Sequence, residues 1–547
     1  MTNSRFTKVS ITFQQIAREN LAIFLVLLIA LAFAGAGLNM HVFWDDEAST
    51  ALFAKEVLSS GQLSGWNGLN INSFRGGINL DEHLLSREGI PLQHYVAAAG
   101  IKIFGDATWA ARLPFLIFGL LTLWLTSRWS TRLFGSTVPN WLPALLLACN
   151  VSFSMHIIQS RYYALVMAFS AAVLWAMCCL DGKRRWPAFA GGAVAALGLA
   201  FSNSLCGIAM VAACMTSLMH PRFRTYSHIK FVALVGGITL VAATYFFVTT
   251  GGIDNLQSRR GATDFTERIA TLLAWQIKGL ALSEFLPLLP LFMFALPWKI
   301  PRLMHLRPVV GLAITVLAMI LASLIVIAAL SPQDVTLTHS ADMRYLLPIL
   351  VMGSVVTAVA LTIIAAGFGK AMATLVFAII IFSNLTYGAL PSFRCTVCER
   401  LYELSVSHPS GSDAVVNVAK MLPADTRTMF YPEYIGLPAM YYRPDLKYVA
   451  VIDSAKYIDP DLRRKLPDYV FTGRNTIDIL VVGIGSMPLS NPLEHAGQSF
   501  ELLEKLDTNW IDMTRPDIRW HQFRANPDND KKYGIAIFRR IDAVPAR

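Results

Sequence analysis

The residues with the clearest capacity for chemistry are three consecutive acids, Asp45-Asp46-Glu47, in the run Phe43-Trp44-Asp45-Asp46-Glu47-Ala48-Ser49-Thr50. They directly follow the first long apolar stretch of the chain. Partial desolvation at such a boundary raises a carboxylate's pKa toward the range where it can take a proton from a hydroxyl. The same acids, Asp46 and Glu47 above all, can bind a divalent cation that shields a phosphate leaving group. Acids also favour helix starts, as N-caps and as partners of the helix dipole. The readings are compatible, because successive helical residues point about 100° apart. One acid can cap while another faces a cavity.

Further polar groups recur at the ends of apolar stretches. Arg87-Glu88-Gly89-Ile90-Pro91-Leu92-Gln93-His94-Tyr95 offers Glu88 and His94 to a site, or reads as an ordinary loop leading into a Pro-started helix. Arg112 lies in Ala111-Arg112-Leu113-Pro114 at the mouth of the second apolar stretch, Arg161 and Tyr163 in Ser160-Arg161-Tyr162-Tyr163, and Arg344 and Tyr345 in Asp342-Met343-Arg344-Tyr345-Leu346-Leu347-Pro348. An arginine near lipid is costly unless paired or hydrated, and it can grip phosphate in bidentate fashion. Tyrosine and arginine also serve as plain interfacial anchors. Arg259 and Arg260 are either surface charge or part of an anion site. Cys395 and Cys398 form a Cys-x-x-Cys pair for which a structural disulfide or two plain thiols are the expected states; no matching zinc ligands accompany them.

These residues need elements to hold them, and the composition says which kind. Of 547 residues, 54% are hydrophobic and 15% charged, against roughly a quarter charged in soluble domains. Apolar runs long enough to cross a bilayer recur near residues 20–40, 108–127, 139–157, 162–180, 187–202, 204–219, 230–249, 281–297, 308–330, 345–367 and 370–390, about eleven spans by the length criterion. The first lacks a small-residue cleavage site and is read as a retained span. With the N-terminus inside, basic clusters such as Lys183-Arg184-Arg185 and Arg222, Arg224 and Lys230 fall on the cytoplasmic side, while 202–204 and 331–343 carry neither Lys nor Arg. That is the positive-inside pattern, and only the outer segment 250–280 departs from it. The formal charge of +10 is then accounted for by cytoplasmic loops facing anionic lipid, and no nucleic-acid motif is present.

The expected fold is therefore a polytopic α-helical membrane protein with a C-terminal extracytoplasmic α/β domain. Residues 1–390 form the transmembrane domain, including an outer loop at 41–107, and 391–547 form the soluble domain. Within the loop, Ala48 to Leu58 reads as an amphipathic helix suited to the membrane surface, with Ala51, Leu52 and Leu58 on one side and Lys55 and Glu56 on another. In the tail, Asp413 to Leu422 reads as helix, and Thr428–Tyr431, Tyr448–Ile452, Ile477–Val482 and Tyr533–Arg539 as strands. There is no P-loop, no Gly-x-Ser-x-Gly elbow and no long repeat.

The order of these motifs resembles the GT-C membrane glycosyltransferases that use polyprenyl-phosphate sugars, among them protein O-mannosyltransferases and the transferases that add aminoarabinose to lipid A. The similarity runs over about residues 15–390. It rests on Asp46-Glu47, Pro91-Leu92, Phe104-Gly105, Arg112-Leu113-Pro114, Arg161-x-Tyr163 and Arg344-Tyr345-Leu346-Leu347-Pro348. It implies an inverting transferase at the outer face of a bacterial inner membrane, with a polyprenyl-phosphate-linked donor and a lipid, polysaccharide or protein acceptor. Asp46 is implied as the catalytic acid or base with Glu47 beside it, and Asp45 competes for the role. Arg161, Arg344 and the other basic and tyrosyl residues named above would bind donor phosphate or substrate. The aminoarabinose transferases carry Lys before the loop proline where this chain has Ile90. Two other classes remain, a transporter or flippase and a non-catalytic subunit of a polysaccharide assembly system; a transporter would carry charges in mid-span, whereas here they gather at helix ends.

Overall fold

The computed structural model describes residues 3–39, 41–73, 75–87, 91–181, 185–249, 264–283, 293–333, 335, 342–382, 411–449, 458–471, 476–484, 486–508 and 533–541. It divides into two compact units. One comprises residues 1–36, 115–158 and 162–406, and the other residues 37–114, 159–161 and 407–547.

The first unit is helical. Its helices are α1 (Asn3–Ala36), the greater part of α4 (Thr108–Phe134), α5 (Trp141–Ala148), α6 (Val151–His156), α7 (Tyr163–Cys179), α8 (Arg185–Ser202), α9 (Ser204–Ser217), α10 (Tyr226–Thr249), α11 (Phe265–Ser283), α12 (Leu296–Lys299), α13 (Arg307–Leu330), α14 (Leu347–Phe368) and α15 (Lys370–Phe382). Among the described residues four helices are long and apolar enough to cross a membrane, at Thr108–Phe134, Tyr226–Val248, Pro301–Leu330 and Leu347–Phe368, with shorter apolar helices at Asn20–Ala36, Tyr163–Cys179, Ser204–Ser217 and Lys370–Ile381.

Two asparagines explain where apolar runs break. Asn150 interrupts the expected span 139–157; its side chain accepts from the Phe153 amide at 2.7 Å and starts α6. Asn203 separates α8 from α9 in the same way, accepting from the Cys206 amide at 3.0 Å. An Asn oxygen satisfies a helix's unpaired first amides, so the chain can restart a helix without water. The segment read as an outer loop at 250–280 holds α11 from Phe265 onward, packed against α13. It carries Arg268, which is buried and donates to the Ser331 carbonyl. Of the expected span 281–297, residues 284–292 lie outside the described residues.

The second unit joins the first loop to the tail. Its helices are α2 (Asp45–Ser60), α3 (Leu92–Phe104), the start of α4, and, in the tail, α16 (Gly411–Met421), α17 (Leu437–Tyr442) and α18 (Pro460–Arg463). Phe53, Ile71 and Leu80 from the loop share one core with Ile458, Leu466 and Phe471 from the tail. Helix α2 ends at Gly61, whose φ of 76° lets its amide reach the Val57 carbonyl. Residues 47–54 of α2 are all buried. The helix expected along a membrane surface is thus a core element of its unit, with Leu58 exposed rather than on an apolar contact face. Helices α3 and α4 meet at Gly100, where a Cβ would lie 2.2 Å from the Ala110 carbonyl oxygen.

The tail carries a six-stranded mixed sheet, β1 (Arg427–Tyr431), β2 (Lys447–Tyr448), β3 (Ile479–Gly483), β4 (Leu493–His495), β5 (Gln498–Thr508) and β6 (Tyr533–Arg540), in the order β2-β1-β3-β6-β5-β4. β1 runs parallel to β2 and β3, and the other pairs are antiparallel. β3 is the near-continuous apolar strand that a doubly covered sheet requires.

Candidate active site

The geometry begins with the segment that leads into α2. Trp44 occupies the N-cap position with an extended backbone and no side-chain cap, so the three acids form the first helical turn themselves. Asp45 is buried and accepts from the Asp46 amide at 2.9 Å. It meets one of the amides that a helix start leaves unpaired.

Glu47 has no exposed surface. Arg112 grips it with two parallel hydrogen bonds, Nε to Oε1 at 2.9 Å and Nη2 to Oε2 at 2.6 Å. The Ser160 amide adds a third, to Oε1 at 2.8 Å. The same guanidinium donates to the carbonyls of Leu38, His41 and Val42 at 3.0, 3.0 and 3.2 Å. A buried ion pair is tolerable only when its remaining hydrogen-bond capacity is met, and here it is met by the backbone just before the acids. Arg112 and Glu47 therefore clamp the start of α2 to the start of α4 and to the 159–161 segment.

Asp46 has a different setting. Its side chain keeps 25% of its surface, and its Oδ2 lies 3.3 Å from Nη2 of Arg161. Arg161 also donates through Nη1 to the Asp46 carbonyl at 3.3 Å and to the Thr50 hydroxyl at 3.2 Å. Of the three acids, Asp46 is the one whose carboxylate combines an accessible edge with a fixed cationic neighbour. Thr50 and Ser160 belong to this arrangement and were not singled out from the sequence. Their nearest signal is that each sits within four residues of a residue that was.

His94, from α3, is 1% exposed, has its ring against Phe53 at 5.2 Å between centroids, and places Nδ1 3.4 Å from the Thr50 carbonyl. Burial, reinforced by the charge of Arg161, pushes it down to about 3. It lies buried beside α2, the helix that carries Asp46.

Arg344 and Tyr163 lie in the first unit. Arg344 forms a fork with Asp342, Nε to Oδ1 at 2.9 Å and Nη2 to Oδ2 at 2.6 Å, and keeps 27% side-chain exposure. Burial alone would lower its pKa; the Asp342 carboxylate outweighs that and holds it well above the ordinary arginine value. Tyr163 is fully buried between the rings of His156 and Tyr162, at 4.7 and 4.6 Å. The carbonyl of Tyr345 faces the Cys206 thiol at 3.7 Å. Glu88, Arg259, Arg260, Cys395 and Cys398 lie outside the described residues.

A divalent cation fits the acids poorly. Both oxygens of Glu47 are engaged by Arg112 and Ser160, which leaves Asp46 without a second carboxylate from that residue. Among the described residues no group of three or more His, Cys, Asp or Glu side chains is placed to hold a metal.

Comparisons with known proteins bear on the fold. Residues 89–247 match the family model for dolichyl-phosphate-mannose-protein mannosyltransferase. The chain is similar to ArnT from Cupriavidus metallidurans bound to undecaprenyl phosphate, at 14% identity over 94% of this chain and 97% of that one, with a TM-score of 0.50. The apo form of that protein matches at 13% identity over the same shares, with a TM-score of 0.49. The archaeal oligosaccharyltransferase AglB from Archaeoglobus fulgidus, in complex with an inhibitory peptide and a dolichol-phosphate, matches at 11% identity over 86% of this chain and 70% of that one, with a TM-score of 0.46. No curated protein matches.

Proposed function

We propose that this chain, a multi-pass membrane protein with the GT-C fold, is an inverting glycosyltransferase moving a sugar from a polyprenyl-phosphate carrier to a hydroxyl of an envelope glycolipid, polysaccharide or protein. The resemblance read from its motifs is borne out by the mannosyltransferase family model over residues 89–247 and by the shared fold. The observation that carries the reading is the contrast within the acid triplet. Glu47 is sealed into an ion pair, Asp45 is buried at the helix start, and Asp46 retains an accessible edge beside Arg161.

In the proposed reaction the Asp46 carboxylate accepts the proton of the acceptor hydroxyl. The oxygen of that hydroxyl forms a bond to the anomeric carbon from the face opposite the phosphate, and the bond from that carbon to the phosphate oxygen breaks. Polyprenyl phosphate leaves with the electron pair. Arg161 fixes the rotamer of Asp46, while Glu47 and Arg112 position the turn that carries it. By the motif resemblance Arg161, Arg344, Arg259 and Arg260 are the candidates for the donor phosphate, since an arginine near developing phosphate charge stabilises it. The outer face of the inner membrane suits this chemistry, because a lipid-linked donor needs no soluble nucleotide pool, and the loop charges support the same orientation.

Mass spectrometry of envelope glycolipids and polysaccharides in a deletion strain tests the reading and identifies the acceptor. The expected result is loss of one sugar residue from one glycan class together with accumulation of its polyprenyl-phosphate donor. Unchanged glycans, glycoproteins and donor pool would contradict it.

A further inference from the structure

The three residues that precede Trp44 are held from two directions. Arg112 takes the carbonyls of His41 and Val42. The amides and side chains of the same residues are taken by the tail, some 370–400 positions away in sequence. Asp413, in the first turn of α16, accepts from His41 Nδ1 at 2.9 Å and from the Val42 amide at 3.2 Å. Tyr442, at the end of α17, accepts from the Phe43 amide at 3.2 Å, and its hydroxyl pairs with that of Thr108 at 2.6 Å. The Phe43 ring lies edge-on to Tyr441 at 4.9 Å. Tyr441 bonds Asp106, whose other oxygen is 2.7 Å from Lys55 of α2.

We propose that Asp413 and Tyr442 are positioning residues for the transfer site: through hydrogen bonds to residues 41–43 they set the entry of α2 and hence the direction of the Asp46 carboxylate. The proposal rests on the role given to Asp46 above. Its physical basis is that the amides of Val42 and Phe43 lie upstream of the helix and have no partner in its hydrogen-bond ladder. In this unit the tail supplies those partners, so the tail completes the site without touching the reacting atoms. Small displacements matter here, since a shift of about 1 Å in a catalytic group costs on the order of 100-fold in rate.

The test uses the full-length protein in detergent or nanodiscs, without ligand, and compares Tyr442→Phe, Asp413→Ala and Asp413→Asn with wild type by hydrogen–deuterium exchange. Loss of one ordinary hydrogen bond corresponds to roughly ten-fold faster exchange. We expect that change in peptides covering 38–50 for Tyr442→Phe and Asp413→Ala, with β3 and β6 still protected. Asp413→Asn, which keeps an acceptor for the Val42 amide, should show a smaller change. In a transfer assay Tyr442→Phe should lower kcat at least ten-fold with donor KM within two-fold. Unaltered exchange at 38–50, faster exchange spread over the whole sheet, or local loosening with wild-type kcat would each overturn the positioning role. Full transfer by Asp46→Asn would instead overturn the reading of the site, leaving the exchange result intact.

Discussion

The Arg161 guanidinium stands 3.3 Å from the Asp46 carboxylate, and the same side chain reaches the Asp46 carbonyl and the Thr50 hydroxyl. One cation thus holds both the backbone and the side chain of the first turn of α2. Arg161→Met removes all three contacts and should lower kcat by about 10–100-fold, the scale of a misoriented catalytic group. Arg161→Lys keeps a charge but not the planar fork, so it should recover only part of the loss. Steady-state kinetics on the purified variants check this, with protein integrity followed by size-exclusion chromatography.

Glu47 and Arg112 make a different prediction. Removing one member of a buried pair leaves an uncompensated charge and typically costs about 3–5 kcal/mol. Glu47→Gln and Arg112→Met should each lower the thermal unfolding temperature and the yield of folded protein. The double substitution should cost less than the sum of the two. A pair that merely bound substrate would leave unfolding of the ligand-free protein unchanged.

His94 predicts a pH dependence of stability. Its folded pKa is depressed to about 3, below the unfolded value of about 6.5. The unfolded chain therefore takes up a proton as pH falls through 6.5 while the folded chain does not. The contribution of His94 is fully present above about 6.5 and is lost progressively down to about 3, at up to about 1.4 kcal/mol per pH unit. Thermal unfolding at pH 7.5, 5.5 and 4.5 should fall more steeply for wild type than for His94→Gln.

Gly100 tests the contact between α3 and α4. A methyl at this position meets the Ala110 carbonyl at 2.2 Å and the Pro114 ring at 2.9 Å. Gly100→Ala should destabilise the protein by about 1–3 kcal/mol through overpacking, read as a drop in unfolding temperature.

Part of the candidate site was legible because acids and arginines in an apolar chain have few places to go. Asp46 and Arg161, named separately from the sequence, are neighbours in the structure. Three tail strands were legible from short apolar runs at Thr428–Tyr431, Ile477–Val482 and Tyr533–Arg539. β5 was not, because Glu501, Glu504 and Lys505 mask its alternation and a bulge between Leu502 and Glu504 shifts its register. Span lengths misled where a polar residue caps a new helix inside an apolar run, as at Asn150 within 139–157, whereas the boundary read between 187–202 and 204–219 coincides with the cap at Asn203. The contributions of Asp413 and Tyr442 had no local signature, since a lone carboxylate and a phenol become meaningful only when the fold brings them to residues 41–43.

The central claim is that Asp46 removes the acceptor proton. The direct measurement is single-turnover sugar transfer by purified Asp46→Asn, with the native lipid-linked donor and the acceptor identified from the deletion strain. The account predicts a loss of at least about 100-fold in the single-turnover rate constant, the lower end of the range for general-base removal, with donor affinity retained. Transfer at near wild-type rate would contradict it.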